Sequence, residues 1–208
     1  MLTLDISQAL GAHLAAKHGA HVVTPDEAPA RAARALLAAL ARVAPVLSDL
    51  VAELEVRANR VSVTVPTPAG PVIVLSPSAV ADPERYAATV AHEMQHAQQL
   101  DGQAVAQSID YVASPELRAR AEADAYAVGL FVRYALTGSL PRADDAVASL
   151  SSDTYHLAPE EVTLGAGVIA SHLATMAAGG VPPLTVAVEV LAWLRAEHPE
   201  LIAVEALR

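Results

Sequence analysis

The chain has 208 residues, 53% hydrophobic but only 3% aromatic, with 13 basic and 23 acidic residues leaving a formal charge of −10. That length can bury one substantial core, so one domain is expected, and an acidic balance without a basic stripe argues against nucleic acid as a partner. The chain has no cysteine, which excludes disulfides, thiolate zinc sites and cysteine nucleophiles.

Met1-Leu2-Thr3-Leu4-Asp5 has neither a basic n-region nor an apolar h-region, so a cytoplasmic chain is expected, with export by a non-classical route left open. Asp5 to His18 reads as a first helix. Thr24-Pro25-Asp26-Glu27 carries N-cap and first-turn chemistry. A helix should follow from about Pro29 to Arg57, kinked or broken at Pro45. Leu36, Leu37, Leu40, Val43, Leu47, Leu50, Val51 and Leu54 recur at helical spacing and mark its core face.

The period then changes. Val61-Ser62-Val63-Thr64-Val65 alternates as a half-buried strand does, and Val72-Ile73-Val74-Leu75 is a second short strand. Pro66-Thr67-Pro68-Ala69-Gly70-Pro71 between them predicts a hairpin, which Ser76-Pro77-Ser78 ends. Asp82-Pro83-Glu84 opens the next helix, with Asp82 as N-cap, and Asp101-Gly102 stops it.

That helix holds His92-Glu93-Met94-Gln95-His96, the His-Glu-x-x-His zincin signature. An α-helix turns once per about 3.6 residues, so His92 and His96 can aim two imidazoles at one Zn²⁺. Glu93, one step round, can take a proton from a water activated by the metal. The flanking Tyr86-Ala87-Ala88-Thr89-Val90-Ala91 and Ala97-Gln98-Gln99-Leu100 carry no charge, unlike a solvated helix. A catalytic zinc takes three protein ligands and keeps one open position, so one ligand remains to be found.

Ser114-Pro115-Glu116 starts a long helix towards Leu136, ended by Thr137-Gly138-Ser139. It offers Glu116, Glu122 and Asp124. Glu122 shares a face with Ala119, Ala125, Tyr126 and Gly129, where the small residues would let the helix approach the metal helix closely. A carboxylate among alanines needs a positive partner, and zinc would supply one. Asp124 lies about 200° away on the wheel, so both cannot face one ion. The alternatives are Asp124 as the ligand, or Glu122 paired with Arg118 on a solvated face.

Arg142 to Asp153 is polar, a loop or short helix, and Ala158-Pro159-Glu160-Glu161 opens another helix. The longest uncharged run, Val162 to Val188, is long enough to span a membrane. Gly179-Gly180-Val181-Pro182-Pro183 should split it into two core helices, the last from about Pro183 to His198, so membrane insertion is not expected. His172 in the apolar helix reads as a satisfied core histidine, and Trp193 as an anchor of the last helix. His13, His18 and His21 lack a carboxylate at ligand spacing. The expected fold is α+β, mostly helical, with residues 1–140 as the core and 141–208 as a helical part of the same domain.

Ala91-His92-Glu93-Met94-Gln95-His96-Ala97-Gln98-Gln99, with Glu122-Ala123-Asp124 downstream, resembles the gluzincin metallopeptidases. It is especially similar to small bacterial zincin-like domains, including those found with contractile injection systems. The resemblance covers about Tyr86 to Gly129. It implies a zincin-like fold and a peptidase holding one Zn²⁺ per chain through His92, His96 and a downstream Glu, with Glu93 as general base and a peptide or protein as substrate. Where many gluzincins place that Glu, four residues before the Asp, this chain has Arg120; Glu122 is the glutamate of the pattern that remains. Such peptidases often stabilise the oxyanion with a His or Tyr, for which His156 is the candidate, with Tyr155, Tyr111 and Tyr126 behind it. The rival expectation is a zincin-like binding or assembly module of weak or absent activity, in which the Ala-rich C-terminal helices form an oligomer interface. A third is a membrane-associated zincin.

Overall fold

Thr3 starts helix α1 (Leu4–His18) by accepting the Ile6 N–H at 3.4 Å, and Gly19, left-handed at φ 60°, ends it. The computed structural model describes residues 1–43, 62–100, 110–111, 113–152 and 155–208. Strand β1 (His21–Val23) and helix α2 (Ala28–Val43) follow. Strands β2 (Val63–Val65) and β3 (Val72–Val74) lead into a short helix α3 (Pro77–Val80) and then α4 (Pro83–Gln99). Helices α5 (Pro115–Thr137), α6 (Asp144–Leu150), α7 (Pro159–Ala177) and α8 (Thr185–Glu197) complete the order, before two 3₁₀ turns at Pro199–Leu201 and Glu205–Leu207. The chain is therefore α+β and mostly helical.

The expected caps form. Asp82 accepts the Arg85 N–H at 2.7 Å, Ser114 accepts the Leu117 N–H at 3.3 Å, and Gly138 ends α5 in the left-handed region at φ 74°. The predicted hairpin is the antiparallel pair β2–β3, with Thr64 opposite Ile73. At its turn Gly70 has φ 109°, and any Cβ there would collide with the Gly19 carbonyl. The pattern reading missed β1 and α3. β1 lies parallel to β3, so β3 is central in the order β1-β3-β2. The continuation of α2 to Arg57, the break at Pro45, Val61 and the stop at Asp101-Gly102 fall outside the described residues.

The sheet is filled on both faces. Val23, Val65, Val72 and Val74 pack with Ala30 and Ala33 of α2. Ile73 turns the other way, into the main core with Ala87, Ala91 and Met94 of α4. That core also takes Leu10 and Leu14 of α1, Val128, Phe131 and Val132 of α5, and Val190, Trp193 and Leu194 of α8. Helix α4 is thus enclosed by sheet and helices, and buries residues from Tyr86 to Ala97. Truncating a core side chain such as Phe131, fully buried, to alanine typically costs about 3–5 kcal/mol. A second cluster joins Ala123 of α5, Ala146 and Leu150 of α6 and Ile169 of α7. Gly179, at φ 77°, closes α7, so Val162 to Val188 is divided between two helices. Among the described residues no helix is long and apolar enough to cross a membrane.

Candidate metal centre

Helix α5 lies close against α4, and the reason is local. A Cβ on Gly129 would stand 3.2 Å from the Ala88 carbonyl and 3.8 Å from His92 Cβ. Ala119 and Ala125, both fully buried, line the same face of α5. This closeness carries Glu122 to the two histidines. His96 Nε2 is 3.4 Å from Glu122 Oε1, and His92 Nε2 is 3.9 Å from Oε2. One ligand atom from each of the three residues falls within 4.8 Å of the other two, a group that could hold a metal ion.

The donor set fits such an ion. The Glu122 side chain is only 4% exposed, and its Oε2 is buried without a hydrogen-bond partner among the described residues. This buried oxygen, 3.9 Å from His92 Nε2, is one that a cation would satisfy. Two imidazoles and a carboxylate suit a borderline divalent metal.

The other atoms of these groups are held from behind. His96 Nδ1 is 3.0 Å from Gln99 Oε1, and the Gln99 amide donates to the Ala121 carbonyl at 3.2 Å. The Tyr126 ring stands edge-on to His92 at 4.8 Å between centroids. The Tyr111 hydroxyl donates to Glu122 Oε1. Such partners fix the tautomer and orientation of a ligand.

Burial acts against charge throughout the site, and neighbours decide the outcome. Burial and the adjacent His96 press His92 down to about 3. At His96 burial is outweighed by the Glu122 carboxylate, which lifts the imidazole to about 9. At Glu122 burial is outweighed by His96, which brings the carboxyl down to about 2. Glu93 is raised to about 7 by burial, against the pull of His96 and a hydrogen bond from Thr64. The Thr64 hydroxyl lies 2.9 Å from the Glu93 carboxylate.

The remaining candidates separate. Asp124 points away from the histidine pair and meets His172 Nε2 at 2.9 Å, which also satisfies that core histidine. Arg118 reaches the Tyr111 and Tyr155 carbonyls at 2.9 and 2.8 Å, while Glu122 turns to the histidines. Arg120 pairs with Glu116 at 3.3 Å on the exposed face. His156 is exposed, with a left-handed backbone at φ 48°. Tyr155 before it turns inward, its hydroxyl 3.1 Å from that of Tyr126. His18 pairs with Glu189 at 2.7 Å, His13 lies beside Trp193, and His21 is exposed. Sequence reasoning missed Thr64 entirely, and it quoted Gln99 without a role.

No family model, no curated protein and no solved structure matches this chain, so the zincin reading rests on the residues of the site.

Proposed function

We propose that this chain is a zinc-dependent peptidase of gluzincin type, with His92, His96 and Glu122 as ligands and Glu93 as general base. The observation that carries the reading is the convergence of those three side chains from two helices, ligand atoms within 4.8 Å. The small sheet laid on the metal helix accords with a zincin-like arrangement. A zinc ion held there supplies a Lewis acid and makes water more acidic.

The chain's own residues do the rest. In the metal-free chain burial lifts Glu93 to about 7; a cation at the site would favour its ionised form, the form that accepts a proton. Its carboxylate takes the proton of the attacking water and returns it to the leaving amine. Thr64 holds that carboxylate. Thr64 lies on β2, an outer strand of the sheet among the described residues. An extended peptide pairing along β2 would be carried past Glu93.

The test has two readouts. Protein purified without added metal should carry about one zinc per chain and cleave members of a broad peptide library, and His92→Ala should lose both. Failure of the wild type to carry or take up zinc at neutral pH sinks the proposal. Stoichiometric zinc with no cleavage would favour a binding or assembly module.

A further inference from the structure

We infer that Tyr111 is a positioning residue for the metal centre: it claims one oxygen of Glu122 and leaves the other for the ion. The inference rests on the metal reading above and extends it to a residue outside the ligand set. A buried carboxylate has two oxygens, each able to bind metal or accept a hydrogen bond. Here the Tyr111 hydroxyl donates to Oε1, which also lies 3.4 Å from His96 Nε2, while Oε2, 3.9 Å from His92 Nε2, has no hydrogen-bond partner among the described residues. A hydroxyl bonded to a carboxylate is a strong, charge-assisted donor. It fixes the rotation of the carboxylate and favours coordination through Oε2 alone.

Tyr111 is itself held in place. Arg118, one helical turn before Glu122 on α5, donates to the Tyr111 backbone carbonyl at 2.9 Å. Its guanidinium also stands over the phenol ring, 5.9 Å from the centroid. The same side chain donates to the Tyr155 carbonyl at 2.8 Å. Arg118 therefore ties the segment bearing Tyr111 to the helix bearing Glu122, and the phenol is set by α5 itself.

The experiment compares wild type, Tyr111→Phe, Glu122→Ala and the double variant. Zinc affinity is measured by chelator competition, and coordination by the visible absorption of the Co²⁺-loaded protein. Tyr111→Phe should bind zinc roughly 10–100-fold more weakly, as loss of such an outer partner typically does. Its cobalt bands should lose intensity as Glu122 engages through both oxygens and coordination number rises. In the Glu122→Ala background Tyr111→Phe should change nothing further. Equal affinity and identical cobalt spectra for wild type and Tyr111→Phe would overturn the inference and leave the metal reading intact. So would a loss that persists undiminished without Glu122. If wild type binds neither ion, the metal reading itself fails, and the inference with it.

Discussion

The hydroxyl of Thr64, on β2, lies 2.9 Å from both the backbone carbonyl and a carboxylate oxygen of Glu93, on α4. The sheet register makes this contact possible. Thr64 pairs with Ile73, whose side chain enters the α4 side of the core, and Val65 beside it turns to α2. One strand residue thereby fixes the group proposed to move protons. Because the hydroxyl favours the ionised carboxylate, its removal raises the Glu93 pKa. Thr64→Val, which keeps the β-branched shape, should leave zinc content unchanged and lower kcat/KM by roughly 10- to 150-fold, since a hydrogen bond to a charged group contributes about 1.5–3 kcal/mol. The acidic limb of the pH–rate profile should move to higher pH. An unaltered profile would remove Thr64 from the account.

Glu122 and Asp124 stand two residues apart and face different partners, the histidine pair for one and His172 for the other. Glu122→Ala should weaken zinc binding by at least a hundredfold, while Asp124→Ala leaves it within about threefold, in line with the difference between losing a ligand and losing a distant hydrogen bond. Chelator competition on both variants measures this. A larger loss from Asp124→Ala would reassign the third ligand.

Proton release gives a separate check. In the metal-free protein Glu122 keeps His96 protonated up to about pH 9, and a metal can bind only the neutral imidazole. Zinc uptake near pH 8 should therefore expel about one proton per ion from His96, and near pH 7, where Glu93 is also part-protonated, a further fraction of one. Affinity should climb roughly tenfold per pH unit and level off only near pH 9, well above the ordinary histidine value of about 6.5. Calorimetry in buffers of differing ionisation enthalpy counts the protons. Affinity that is flat above pH 7 would mean that His96 is already neutral in the metal-free site.

Local chemistry was readable in the chain, and long-range geometry only where a periodicity pointed at it. Asp82-Pro83 and Ser114-Pro115 announce their helices because a cap and a first-turn proline act within one turn. His92, His96 and Glu122 could be joined beforehand because helical spacing defines faces, and Ala119, Ala125 and Gly129 mark which face of α5 approaches another helix. β1 escapes such reading: at three residues it is too short to show alternation, and its parallel partner β3 begins some fifty residues later. Alternation in Val63-Thr64-Val65 separates two faces but cannot say that Glu93 lies over one of them. His156 and Tyr111 occupy stretches without periodicity. The polar loop looked suited to deliver His156, yet it turns Tyr155 inward, and the hydroxyl on Glu122 comes from Tyr111.

Glu93 is proposed to carry protons in a reaction at the His92–His96–Glu122 site. Glutamine matches glutamate in shape and cannot accept a proton at neutral pH. Glu93→Gln should keep its fold and its single zinc, and lose peptide hydrolysis by a factor of roughly a hundred to ten thousand, the usual effect of removing a general base. The decisive measurement is the cleavage rate of a peptide library by wild type and Glu93→Gln at equal zinc occupancy. Wild type should cleave and Glu93→Gln should show that loss; equal rates in the two proteins would mean that Glu93 is not the base.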